Sequence, residues 1–118
     1  MSKRPYEQLV AWKEAPLLCL FIYTLTKYFP ASERYGLISQ MRRFAYSVPT
    51  NIAEGNARRT NKDKSNVFLT ALASLEELHY QSVLSRDLDY LSEVDFAKID
   101  DHIMRTSFLL TKLRSTFQ

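Results

Sequence analysis

Glycine, proline and cysteine are all scarce in this chain: its 118 residues include two glycines, four prolines and one cysteine. A sandwich or barrel of many short strands needs a steady supply of tight-turn residues, which two glycines cannot furnish. All-β architecture is excluded on that ground, while plentiful Leu, Ala, Lys, Glu and Arg favour helices. The single cysteine, Cys19, cannot close an intrachain disulfide, and small exported domains usually rely on several bridges, so the expected setting is the reducing cytoplasm. A large excess of one charge is also missing. Sixteen Lys and Arg face 13 Asp and Glu for a net +3, and 13% of residues are aromatic, a balance that does not belong to a disordered chain. The apolar run Ala15–Tyr23, nine residues without charge, is less than half of the ~20 needed to cross a bilayer. Lys3, Arg4 and Lys13 precede it as in an export signal, but Glu7 and Glu14 interrupt the basic region and no small-residue cleavage site follows. No membrane role is expected, and the length matches one domain.

What remains is helical nearly throughout. The spacing of apolar residues predicts a first helix over about Tyr6–Tyr28, with Leu9, Trp12, Cys19, Ile22 and Tyr23 facing inward. Pro30 and Ser32 punctuate the chain before a second helix over about Glu33–Asn56, whose stripe is Leu37, Met41, Phe44, Val48 and Ile52. Gly55 reads as its stop. A third helix, about Lys62–Asp87, follows Thr60 and Asp63 at capping-box spacing and carries Phe68, Leu72, Leu75 and Leu78 inward. After the turn Leu88–Leu91, Ser92 and Asp95 repeat the capping pattern. A last helix then runs to about Thr116 with Phe96, Ile99, Ile103, Leu110 and Leu113 inward. Four helices joined by short connections predict an all-α, antiparallel up-down-up-down four-helix bundle in a single domain over residues 1–118. Pro16 and Pro49 fall inside helices, and the second helix is expected to kink near Pro49.

A second, polar line runs down the second helix: Gly36, Gln40, Arg43, Ser47, Asn51, Glu54 and Arg58. Thr70, Ser74, Glu77 and Gln81 echo it on the third. Its members are small or able to make directional hydrogen bonds. The readings open at this stage are a structural polar network within or between subunits, a ligand or phosphate site on Arg43, Asn51 and Glu54, and a plain solvated face. In the network reading, Arg43 or Arg58 pairs with Glu77 or Glu54 across the two helices, and Gly36 marks their close approach.

The stretch Phe29-Pro30, Glu33-Arg34-Tyr35-Gly36-Leu37, Gln40-Met41-Arg42-Arg43 and Ser47-Val48-Pro49-Thr50-Asn51-Ile52-Ala53-Glu54-Gly55 closely resembles the four-helix-bundle family encoded in intervening sequences of bacterial 23S ribosomal RNA genes. Tyr6-Glu7 with Leu9 and Trp12, and Ala73-Ser74-Leu75-Glu76-Glu77-Leu78, extend the resemblance over most of the chain. It implies a bundle that assembles into a ring, with a homopentamer favoured, and no established catalysis. The family is similar to the pentameric accessory bundles of diversity-generating retroelements, which interact with nucleic acid and a reverse transcriptase. An unidentified protein partner is therefore also open.

Charge is unevenly spread. Residues 31–66 hold seven basic and three acidic groups, whereas residues 67–118 hold five and eight. Arg42 and Arg43 on the second helix and Arg58, Arg59, Lys62 and Lys64 after it are candidate RNA or DNA contacts, with Tyr35 and Tyr46 able to stack on bases. No catalytic residue, metal or cofactor is expected. There is no glycine-rich phosphate loop, and only one Glu-x-x-His pair, Glu76 and His79, exists where a di-iron bundle needs two. His102 has Ile99 three positions before it, and Cys19 sits in an apolar run that raises its pKa. The competing functional class is a purely structural or protein-interaction oligomer.

Overall fold

The computed structural model describes residues 5–118; Lys3 and Arg4 lie outside them. Four helices form the molecule, α1 (Val10–Thr26), α2 (Ser39–Ala57), α3 (Asn61–Asp87) and α4 (Glu93–Ser115), and no strand occurs among the described residues. The apolar periodicity therefore gives the expected all-helical bundle. Both sequence-predicted caps are present: Thr60 Oγ1 accepts from Asp63 N–H at 3.1 Å, and Ser92 Oγ accepts from Asp95 N–H at 3.0 Å.

Contacts between neighbouring helices run in opposite order along the chain. As the position on α2 rises from Met41 through Ser47 to Gly55, its α3 partner falls from Ser85 through Ser74 to Phe68. Between α3 and α4 the pairs are Ser65 with Arg114, His79 with Asp100, and Arg86 with Phe96. On the α1–α4 side, Leu9, Val10 and Ala11 share a groove with Leu109, Lys112 and Leu113, and further along α1 Glu14 meets His102.

The core is built from Leu18, Ile22, Met41, Val48, Ile52, Phe68, Leu75, Leu78, Ile99, Ile103 and Leu110, with alanines at 11, 15, 45 and 71 letting the helices close together. Predicted stripes on α2, α3 and α4 hold, with Leu37, Phe44, Leu72 and Leu113 half-buried at the margins, except for Phe96, whose ring lies under the Arg86 guanidinium outside the core. The stripe on α1 is rotated: Ala11, Ala15, Leu18, Ile22 and Thr26 are buried, while Tyr23 is exposed. Three of these five inward positions hold alanine or threonine, which carry little hydrophobic signal. Thr26, Ser82, Ser85 and Thr106 are buried without penalty because each hydroxyl donates to the carbonyl one turn earlier, at 2.7–2.8 Å.

Two expectations for the first half of the chain need correction. The first helix starts at Val10 rather than near Tyr6, because Pro5–Gln8 forms a 3-10 turn and Leu9 is extended. The second helix does not begin at Glu33. Ala31–Glu33 is a 3-10 turn and Arg34–Ile38 a π-helical turn in which Gly36 leaves helical geometry at φ −111°, ψ −114°. The cause is local: Glu33 folds back so that Oε1 accepts from Leu37 N–H at 3.2 Å, and that oxygen lies 2.5 Å from where a β-carbon on Gly36 would be.

The two glycines have in effect exchanged roles. Gly36 makes room for a carboxylate rather than for a second helix. Gly55, expected as a stop, is buried inside α2, which runs on through Pro49 and Gly55 to Ala57. No glycine has positive φ. Among the described residues the left-handed one is Asp89, at φ 64°, which ends α3 in a Schellman motif: Tyr90 N–H donates to Ser85 O at 2.8 Å and Asp89 N–H to Arg86 O at 2.9 Å.

Candidate functional site

The polar line on α2 meets its echo on α3 at one point. Ser47 Oγ and Ser74 Oγ share a hydrogen bond of 2.7 Å, and Asn51 Nδ2 donates to Ser47 O and Oγ at 2.8 and 3.1 Å. Small side chains make this contact possible, since a longer side chain at Ser74, 6% exposed, would hold the helices apart. Beside it lies an open cavity of about 310 Å³ lined by Arg43, Phe44, Tyr46, Ser47, Thr70, Ala73, Ser74 and Glu77.

The expected Arg–Glu pairing across helices is replaced by a local one at the C-terminal end of α2. Arg58 Nη2 and Glu54 Oε1 are 2.6 Å apart, one turn from each other, with both side chains about half exposed. Arg43 lies with its guanidinium carbon 5.5 Å from the centre of the Phe44 ring, and Glu77 is exposed on the opposite wall. Gln40 is exposed at the start of α2, and Gly36 belongs to the π turn. The seven-residue line thus divides into Ser47 and Asn51, which form a part-buried network with Ser74, and groups that stand outside it.

The basic candidates divide as well. Arg42 closes the end of α1: its Nε donates to Thr26 Oγ1 at 2.9 Å, its Nη2 to Tyr23 O at 3.3 Å, and its guanidinium lies over the Tyr23 ring at 4.8 Å. Lys64 closes the end of α2 by donating from Nζ to Asn56 O at 2.6 Å, with the Phe117 ring 5.5 Å away. Cations at helix C-termini compensate the exposed carbonyls and the dipole, so both have structural work. Arg58 is neutralised locally by Glu54. Arg59 and Lys62 are exposed and enter no ion pair among the described residues. Sequence spacing alone could not separate these groups, because the carbonyls they serve are supplied by chain geometry.

Outside the predicted site, sequence reading missed a charged cluster joining α1 to α4. His102 Nδ1 lies 3.0 Å and Arg105 Nη2 3.3 Å from Glu14 Oε1. His79 Nε2 lies 3.3 Å from Asp100 Oδ1, so the lone Glu-x-x-His histidine is engaged by a carboxylate on α4. Among the described residues no group of three or more His, Cys, Asp or Glu side chains could hold a metal ion. Burial pushes the Cys19 thiol above its usual pKa, which makes it a poor nucleophile. No helix among the described residues is long and apolar enough to cross a membrane.

Residues 7–112 match the family described as 23S rRNA-intervening sequence protein. The chain belongs to this family. The crystal structure of an S23 ribosomal protein family member from Bacteroides thetaiotaomicron VPI-5482, itself described as a protein with unknown function, superimposes with a TM-score of 0.83. The two share 20% sequence identity over 90% of this chain and 96% of that one. At that identity the likeness fixes the fold of the intervening-sequence protein and nothing further. Comparison with curated proteins gives no sequence match.

Proposed function

We propose that this intervening-sequence protein is a non-catalytic scaffold that associates with copies of itself, with the five-membered ring suggested by its family resemblance as the favoured form. The observation that carries this reading is the outward face of α4. Val94, Met104 and Phe108 are 64%, 64% and 63% exposed. With Ala97, Asp101, Thr111 and Ser115 they fall at alternating steps of three and four, the spacing of a seam that packs against another helix. Large apolar side chains left in water along one line mark an interaction surface. A ring needs two different complementary surfaces on each copy. The excess of acid in residues 67–118 and of base in residues 31–66 supplies complementary charge for such a head-to-tail contact. The mass of the purified protein in solution tests the proposal: assembly gives a multiple of 13.8 kDa.

A second reading, sequence-tolerant RNA or DNA binding, rests on Arg59 and Lys62, which lie three positions apart in the chain, are exposed and enter no ion pair among the described residues. A ring would repeat them several times on one face and multiply their attraction for phosphates. Binding of this kind weakens steeply with salt. Arg59→Glu with Lys62→Glu removes it if the reading holds, and unchanged affinity in that double variant rejects it.

A further inference from the structure

The end of the molecule opposite Arg58–Lys64 carries a second, more concave collection of cations. A cavity of about 490 Å³ between the end of α1 and the turns leading into α2 is lined by Lys27, Arg34 and Arg42, with Ser39 on its rim and Phe29 and Ile38 as its apolar wall. No carboxylate lines it. Glu33, next to Arg34 in the chain, has both oxygens engaged: Oε1 accepts from Leu37 N–H at 3.2 Å and Oε2 from the Tyr90 hydroxyl at 3.1 Å. Arg42 is held before any ligand arrives, by Thr26, Tyr23 O and the Tyr23 ring. Two of its five N–H donors are used in that way, and three are left. Lys27 and Arg34 are exposed and form no ion pair among the described residues.

We infer that this cavity binds a phosphomonoester group. Three cations around one concavity repel one another when it is empty, and a dianion placed among them is attracted twice as strongly as a single carboxylate in the same position. Arginine's planar fork suits phosphate oxygens, and a guanidinium already fixed by its neighbours loses little freedom on binding. The cavity is several times larger than a lone phosphate, and its Phe29–Ile38 wall accepts the apolar or planar body that a phosphate ester carries. Such a group comes either from a free nucleotide or from the 5′ end of a nucleic acid. The inference does not depend on self-association, nor on Arg59 and Lys62, which lie about 19 residues of helix, or roughly 28 Å, away.

Titration calorimetry at low salt tests it with AMP and with one short oligonucleotide prepared with and without a 5′-phosphate. The expected result is saturable binding of AMP and of the phosphorylated oligonucleotide, weakened at least about tenfold by Lys27→Gln with Arg34→Gln. Arg59→Gln with Lys62→Gln leaves the AMP affinity unchanged. A phosphorylated oligonucleotide that binds more tightly than AMP identifies a nucleic-acid end as the source, and the reverse order identifies a free nucleotide. Both altered residues in the first variant are exposed, so its fold is checked directly by its thermal melt. Absence of saturable binding by either phosphorylated probe overturns the inference. So does binding indifferent both to the 5′-phosphate and to the Lys27/Arg34 substitutions.

Discussion

Gly55 lies against the ring of Phe68: a β-carbon on Gly55 would sit 2.6 Å from Phe68 Cε1 and 2.8 Å from Cδ1. Phe68 is fully buried, so its ring has nowhere to retreat. Gly55→Ala gains roughly 1 kcal/mol of helix propensity but overpacks the α2–α3 contact at about 1–3 kcal/mol. The expected outcome is a net loss of about 1 kcal/mol in urea unfolding, recovered in part when Phe68→Leu is added. A Gly55→Ala protein more stable than the parent would show that the two helices are not in this close contact.

Asp89 makes the opposite case. It holds a left-handed conformation that costs an L-residue roughly 1–2 kcal/mol, less for Asp than for most. Asp89→Gly should therefore stabilise the protein by about 0.5–1 kcal/mol, read as a higher thermal midpoint. A loss of stability would mean that the Asp89 side chain does something the Schellman geometry does not require.

The bundle was legible in the sequence because long helices repeat their signal many times: the stripe from Met41 to Ile52, the stripe from Phe68 to Leu78 and both Ser/Thr caps appear where spacing places them. Single-residue features were not. Gly36 and Gly55 look alike in a sequence, and only the Glu33 carboxylate and the Phe68 ring, brought close by folding, distinguish their roles. The inward face of α1 was misread because Ala11, Ala15 and Thr26 are small or polar. In the candidate site, residue types pointed to a polar network, and Ser47, Asn51 and Ser74 form one. Which arginines and lysines would be tied to helix ends depended on carbonyls that have no sequence signature.

The Ser47–Ser74 bond gives a direct test of that network. In a double-mutant cycle with Ser47→Ala and Ser74→Ala, the coupling should be about 0.5–1.5 kcal/mol, the net worth of one hydrogen bond. Additive single effects would place the two hydroxyls apart.

Tyr90 and Glu33 tie the α3–α4 turn to the α1–α2 turn through a 3.1 Å hydrogen bond. That bond, then partial burial and the Glu33 charge, raises the Tyr90 pKa above its usual value near 10. The folded state therefore holds the phenolic proton more tightly than the unfolded state. The stabilisation is fully present below pH 10 and is lost as pH climbs through the raised value. Tyr90→Phe should be less stable than the parent at pH 8, and the difference should shrink above pH 10. A gap that is constant with pH would contradict the bond.

The most direct measurement is the solution mass of the protein by light scattering, taken on the parent chain and on a Met104→Glu, Phe108→Glu variant. Both altered side chains face water in the single chain, so the variant should keep its helical circular dichroism. The expected result is a discrete multiple of 13.8 kDa, five copies in the favoured form, for the parent and a single copy for the variant. A parent protein that stays at 13.8 kDa at micromolar concentration, or a variant that assembles as the parent does, would contradict self-association through α4.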